Sequence, residues 1–383
     1  MRVVLTTQPG SGHLNSLLGL ALALRTAGHV PTVCSGPRLR EPVERHGLAF
    51  AAAGVDWRES ALVTTFPEYL SEQADGMVSL DPALWARLAR PLADDLETVL
   101  SRLEPALVVS EAFEFGGQLA AERGGLPFAV VDRLSAAPVF EQRRRFAAPL
   151  APVRAALGLP PDADGQAPYR HLRLLPVPAR YDEERALPPT GVKVNLGLPG
   201  RLRPSADPAP PGDAPLVLAS LGTVLHARAG VRETVLEALR EEPLRLVLAA
   251  GPDADPAKLG PVPPNVRVVR SVAQLWMLPR CAVFVTHGGA NSVREALTAG
   301  TPLVVVPLGF DQRYHARRCE ALGVGRAVPP QQRSAESIRD AVGAVLADRG
   351  YAERARGIAG ELAALPGAAH AVALLERLAG REP

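Results

Sequence analysis

Thiols are scarce in this chain. Cys34, Cys281 and Cys319 are the only three, and no two of them make a Cys-x-x-Cys pair. An odd, sparse set of this kind points to a reducing cytoplasm, where the protein is expected to work. Long apolar runs are missing too. No stretch of about 20 apolar residues occurs, and the opening "MRVVLTTQPGSGH" is broken by Pro9, Gly10 and Gly12, so neither a membrane span nor a signal peptide is expected. Lysine is confined to Lys193 and Lys258, and the net charge is only +2, which excludes nucleic acid as the main partner.

Several catalytic signatures are also absent. There is no Gly-Lys-Ser/Thr of a P-loop, no His-Glu-x-x-His and no Gly-x-Ser-x-Gly. Gly10-x-Gly12 begins like a dinucleotide fingerprint but reaches Asn15 at the third glycine, and the second strand ends in "CSGP" without an acidic residue. A dehydrogenase is thereby disfavoured.

What remains is a globular chain of 383 residues, 47% hydrophobic and 21% charged, long enough for two domains. Arg2–Thr6 reads as a strand, 14–27 as a helix stopped by Gly28, and Val30–Cys34 as a second strand. This β-α-β opening predicts an α/β fold with a parallel sheet. Further strands are expected at 106–110, 128–131, 216–220, 244–249, 266–269, 283–286 and 303–306. Helices are expected over 111–125, 231–241, 292–299 and 316–321. "RPSADPAPPGDAP", residues 203–215, has no apolar pattern and reads as a linker between an α/β domain at 1–202 and another at 216–368. Residues 369–383 read as an amphipathic tail helix. Two such domains would face each other across a cleft.

In open parallel sheets ligands bind beyond the carboxyl ends of the strands. The residues expected there are His13, Glu111, Gly222, Thr223, His287, Asn291, Ser292 and Asp311. His13 at a helix start is favoured in its neutral form by the helix dipole and is a candidate general base; the alternative is a histidine bonded to a loop carbonyl. Glu111 is its candidate partner, or else a helix-start carboxylate. "THGGANSVREALTAG", Thr286 to Gly300, offers glycines for close backbone approach and free helix-start amides for an anion. Ser292 and His287 add donors, and Glu295 an acceptor for ribose hydroxyls. The alternative is a helix capped by Ser292 or Asn291. Asp311 and Gln312 suit sugar hydroxyls.

Residues 271–312 resemble the nucleotide-sugar signature of the GT-B glycosyltransferases, with the bacterial branch that decorates natural products as the nearest match. The pattern His-x-Gly-x-Asn-Ser-x-x-Glu is met by His287, Gly289, Asn291, Ser292 and Glu295, with Asp311-Gln312 at the matching distance. The resemblance spans nearly the whole chain. It implies two Rossmann-like domains, the acceptor held by the first and the nucleotide sugar by the second, with the tail helix packing back on the first. It implies His13 and Glu111 as catalytic residues of an inverting, metal-independent sugar transfer. It assigns the donor to Gly12, Gly222, Thr223, Ser271, Val272, Gln274, His287, Gly289, Asn291, Ser292, Glu295, Asp311 and Gln312. Trp57, Phe66, Phe113 and Phe140 then suggest an apolar small-molecule acceptor, although such residues also build cores. Plant members carry Trp near Ser271 and at Ala290, and the usual partner of the base in the family is Asp, where this chain offers Glu111. A dTDP-sugar or a UDP-sugar is the expected donor, with no other cofactor and no metal. A homodimer is left open. A nucleotide-sugar epimerase and a degenerate auxiliary subunit are the alternatives.

Overall fold

The computed structural model describes residues 1–135, 140–178, 180–182, 189–198, 209–222, 224–225, 230–251 and 253–380. The chain divides into two compact units. The first comprises Met1–Leu70, Leu80–Pro199 and Leu365–Pro383, the second Ser71–Ser79 and Gly200–Ala364. Residues 203–208 of the expected linker lie outside the described residues.

The first unit is built on a seven-stranded parallel sheet. Its strands are β1 (Arg2–Thr6), β2 (Val30–Ser35), β3 (Ala49–Ala52), β6 (Leu107–Glu111), β7 (Phe128–Val131), β8 (Leu172–Leu175) and β9 (Gly191–Lys193), in the order β3-β2-β1-β6-β7-β8-β9. A two-stranded ribbon, β4 (Leu70–Glu72) with β5 (Val78–Leu80), follows β3 in sequence. The central strands RVVLT and LVVSE are buried almost throughout, as befits strands covered on both faces. Helix Ser11–Thr26 lays Leu14, Leu17, Leu18, Leu20 and Leu24 on that sheet, each leucine contributing roughly 1.5–3 kcal/mol of burial. Gly28, at φ +81, ends it. The C-terminal helix Ala368–Leu378 adds Ala371, Val372 and Leu375 to the same core, and Glu376 Oε1 lies 2.9 Å from His29 Nε2.

The expected helix over 111–125 is corrected at its start. Glu111 is the last residue of β6, and the helix runs over Gly116–Arg123 only. Between them the carboxylate of Glu114 accepts the amides of Gly116 at 2.6 Å and Gly117 at 2.9 Å, so the turn is closed by a side chain rather than by helical bonds.

The second unit carries a six-stranded parallel sheet of β10 (Leu216–Ser220), β11 (Arg245–Ala249), β12 (Val266–Val269), β13 (Val283–Thr286), β14 (Leu303–Val305) and β15 (Gly325–Ala327). The order is β12-β11-β10-β13-β14-β15. Helices Val231–Leu239 and Ala335–Ala347 supply Val235, Leu239, Ile338 and Val342 to its core. In each sheet the chain order reverses beside the first strand of the unit, between β1 and β6 and between β10 and β13. Each reversal leaves a crevice at the carboxyl strand ends of its own sheet, where α/β sheets bind ligands.

Candidate functional site

At the β1/β6 reversal, Thr6 lies opposite Ser110 in register, so the residues following β1 and ending β6 converge. His13, in the first turn of helix Ser11–Thr26, brings Nδ1 to 2.7 Å from Glu111 Oε1. The other oxygen, Oε2, accepts the Phe113 amide at 3.1 Å. Both side chains are buried. Burial alone would push the Glu111 carboxyl up. His13, Arg133 and the Phe113 amide outweigh it and hold the carboxyl below its ordinary value. An ionised Glu111 accepts a hydrogen bond from Nδ1–H of the imidazole, and in that tautomer the lone pair sits on Nε2. The glutamate, one methylene longer than aspartate, reaches its partner without a gap.

Rings surround this pair. Trp57 and Trp85 stand edge-on to the imidazole at 6.4 and 6.0 Å, Trp57 meets Phe66 at 6.0 Å, and Trp85 meets Phe113 at 5.4 Å. Trp57, Phe66 and Phe113 are thus gathered around His13. Phe140 is not in this row: it packs on Tyr169 at 4.8 Å, with the Arg143 guanidinium over its face. The indole N–H of Trp57 is buried without a hydrogen-bond partner among the described residues.

Sequence reasoning missed Glu59. Its carboxylate accepts Ser11 N at 3.0 Å, Ser11 Oγ at 2.7 Å and Gly12 N at 3.1 Å, and so fills the start of the helix that bears His13. Gly12, expected to face the donor, has its amide engaged there. A carboxylate 47 positions away has no local signal in the sequence.

At the second reversal Ser220 lies opposite Thr286, and the turns after β10 and β13 meet. The ring of His287 fills the space between Gly222 and Gly289. A Cβ at Gly222 would fall 2.5 Å from His287 Cε1, and one at Gly289 would fall 2.4 Å from Nε2. At Gly288, φ +86, a Cβ would fall 2.6 Å from Val305 Cγ1. The glycines expected to admit a ligand make room first for His287 and for the sheet. Thr223 lies outside the described residues.

Helix Ala290–Ala299 starts on Gly289, and no side chain caps it. The alternative of Ser292 or Asn291 as cap is therefore corrected, and both residues sit inside the first turn, half-buried. Glu295 accepts Gln274 Nε2 at 2.6 Å; burial pushes its carboxyl up, while Arg294 and Gln274 oppose the rise. Ser271 is exposed and Val272 half-buried in the turn before Gln274. Arg294 is buried, with Nε and Nη1 lacking partners among the described residues, and burial pulls its guanidinium down to about 10. Asp311 stands at the start of helix Gln312–Ala321, with Oδ2 3.5 Å from His315 Nε2. Gln312 is buried, and its Oε1 accepts the amides of Leu308 and Gly309 at 2.7 and 3.0 Å. That oxygen braces the loop, which leaves only the amide nitrogen for a sugar. Among the described residues no group of three or more His, Cys, Asp or Glu is placed to hold a metal ion, and no helix is long and apolar enough to cross a membrane.

Comparison with known proteins places these turns in context. The family described as "Erythromycin biosynthesis protein CIII-like, C-terminal domain" matches residues 234–378. The aklavinone 7-beta-L-rhodosaminyltransferase of Streptomyces galilaeus is 31% identical over 442 aligned positions, covering 100% of this chain and 98% of that protein. The TDP-daunosamine transferase DnrS of Streptomyces peucetius is 28% identical, covering 100% and 97%. Among solved structures, the glycotransferase of kitacinnamycin superposes with a TM-score of 0.83 at 25% identity, covering 98% of each chain.

Proposed function

We propose, for a chain that belongs to the GT-B glycosyltransferases of natural-product biosynthesis, an inverting transfer of a hexose from dTDP-sugar or UDP-sugar to a hydroxyl of an apolar small molecule. The observation that carries this reading is the His13–Glu111 pair, a buried imidazole with Nδ1 held at 2.7 Å and Nε2 left as the basic nitrogen.

The acceptor O–H gives its proton to His13 Nε2, and ionised Glu111 balances the imidazolium that forms. The acceptor oxygen bonds to the anomeric carbon as the bond from that carbon to the phosphate oxygen breaks. The electron pair leaves with the nucleoside diphosphate. A single displacement from the opposite face inverts the anomeric configuration. The uncapped amides of helix Ala290–Ala299, the Ser292 hydroxyl and His287 receive the developing charge. These donors take the part a divalent cation plays elsewhere, so turnover is expected to persist in excess EDTA. The Gln274–Glu295 pair meets the ribose, and Asp311 the sugar. The row from Phe66 through Trp57 and Trp85 to Phe113 suits a flat, polycyclic acceptor, with the unpaired Trp57 N–H as a donor to its oxygen. Relatives named for aklavinone and for TDP-daunosamine support an acceptor of that shape and a dTDP donor. A same-fold epimerase needs no base for an acceptor, so the His13 pair favours transfer.

The test is incubation with dTDP- and UDP-hexoses and a panel of polycyclic aglycones in EDTA. A product heavier by one hexosyl residue, with anomeric configuration opposite to the donor, is expected. Epimerised donor without acceptor consumption, or retained configuration, would overturn the reading.

A further inference from the structure

Residues Ser71–Ser79 come from the first half of the sequence but fold as part of the second unit. Gln73 N donates to Met77 O at 2.8 Å, and Gly76, at φ +79, turns the chain. Asp75 closes the turn by accepting Met77 N at 3.1 Å. The ribbon then runs against the loop that precedes helix Gln312–Ala321. Val78 N donates to Leu308 O and Phe310 N donates to Val78 O, each at 2.9 Å. Val78 and Gly309 form a parallel bridge, so close that a Cβ at 309 would fall 2.6 Å from Val78 O. Arg313 completes the clasp. Its guanidinium pairs with the Asp75 carboxylate and places Nη2 3.1 Å and Nε 3.3 Å from Met77 Sδ.

The clasped loop is strained. Phe310 has φ +57, one of two non-glycine residues with positive φ among the described residues. Such a conformation persists only where its surroundings over-determine it, and strain of this kind collects at ligand sites. The surroundings are the two backbone bonds to Val78, the two amides held by Gln312 Oε1, and the apolar cluster of Leu221, Leu225, Val231 and Leu308 against which Val78 and Phe310 pack. Half of that frame belongs to the ribbon.

We infer that Asp75, Val78 and Arg313 are positioning residues that set the Gly309–Asp311 loop and thereby the affinity of the site for the hexose of the donor, but not for its nucleotide. The inference rests on the reading of Asp311 as the sugar-facing residue. The helix start at Gly289 that would take the diphosphate, and Glu295 that would take the ribose, are held by other contacts and do not depend on the ribbon.

The experiment compares the full-length protein with Arg313→Ala, Val78→Pro and Asp311→Ala. Arg313 is half exposed, so its truncation leaves the fold in place. Hydrogen exchange of the 308–312 amides is measured without ligand, and binding of dTDP and dTDP-glucose is titrated separately. Faster exchange at 308–312 in Arg313→Ala and Val78→Pro is expected, with dTDP affinity changed less than about twofold and dTDP-glucose weakened about tenfold. Arg313→Lys, which keeps the positive charge beside Asp75 and leaves the Asp75 turn intact, should retain slow exchange and dTDP-glucose affinity. Unchanged exchange, or dTDP and dTDP-glucose weakened equally, would overturn the inference. Loss of the sugar's added affinity in Asp311→Ala but in neither ribbon variant would also overturn it. Retained dTDP-glucose affinity in Asp311→Ala beside faster exchange in the ribbon variants would keep the clasp and remove Asp311 from the sugar site.

Discussion

In the first unit the imidazole of His13 meets a carboxylate of its own chain at 2.7 Å, and the amides that open its helix meet another, Glu59. In the second unit helix Ala290–Ala299 starts without a side-chain cap, and Arg294 beside it is buried with two donor nitrogens unmatched among the described residues. One centre is electrostatically complete before any ligand arrives. The other, on the proposed reading, would receive the charge of the diphosphate. Uncompensated buried donors cost stability unless an acceptor is supplied. On the proposed reading the second centre would gain from an anion brought to it, while in the first the Glu111 carboxyl is already held below its ordinary value. That division suits a reaction in which the donor brings two negative phosphates and the acceptor brings one weakly acidic hydroxyl.

The largest effect should come from breaking the complete centre. His13→Ala removes the base and should lower turnover by roughly 10²–10⁴, the usual range for such groups. Donor titration should be unchanged, because every proposed nucleotide contact lies in the second unit. Glu111→Gln should cost less, since it weakens the hold on Nδ1 without removing the imidazole. Near-native turnover in His13→Ala would mean that the acceptor needs no base. A fully active Glu111→Gln beside an inactive His13→Ala would retain the base and dismiss its partner.

The next effect comes from the incomplete centre. Ser292→Ala deletes one hydroxyl donor in the first turn of helix Ala290–Ala299. Hydrogen bonds to charged groups contribute roughly 1.5–3 kcal/mol, so dTDP and UDP affinity should fall about tenfold or more. Thermal stability should hardly change, because Ser292 is not the helix cap. Calorimetric titration decides it, and affinity for both nucleotides unchanged from the native protein would place Ser292 outside the site.

The two centres were unequally legible. β10 and β13 read off the sequence to the residue, because each is a short apolar run between turn signals, buried in a parallel sheet; β12, at the sheet edge, did so through its three valines. β3, β9 and β15 did not, being three or four residues long and only partly buried. His287, Ser292 and Glu295 follow from local spacing along one strand, turn and helix. The 98 positions between His13 and Glu111 could be bridged only because His13 opens the helix that follows β1 and Glu111 closes β6, the strand paired with β1. Glu59 over the Ser11 amide and Asp75 beneath Arg313 lie on turns whose tertiary placement no periodicity encodes. Gln312 shows the converse limit. Its residue type suggested a sugar ligand, and backbone geometry assigned its oxygen to the loop.

The smallest effect on turnover, and the finest test of the complete centre, concerns Glu114. It lies three residues beyond Glu111, is fully buried, and accepts from Thr6 Oγ1 and from the Gly116 and Gly117 amides. The two carboxyls shift in opposite directions. Burial pushes Glu114 up to about 7 from 4.5, and the neighbouring negative charge of Glu111 adds to the rise, whereas the three hydrogen bonds oppose it. The proton is therefore held more tightly in the folded state than in the unfolded one. Its stabilising contribution is fully present below about 4.5 and is lost as pH rises through about 7. Glu111 runs the other way, contributing above its unfolded value and losing that contribution in acid. Glu114→Gln keeps the shape and cannot ionise; its single oxygen accepts the Gly116 amide, and its NH2, at the place of Oε2, is offered to Thr6 in place of the Gly117 bond. Turnover should stay near native. The fall in melting temperature that the native chain shows between about 4.5 and about 7 should flatten in the variant. An identical pH slope in both proteins would mean that Glu114 is ionised throughout. Two buried carboxylates would then stand side by side, and His13 and Arg133 would have to balance both.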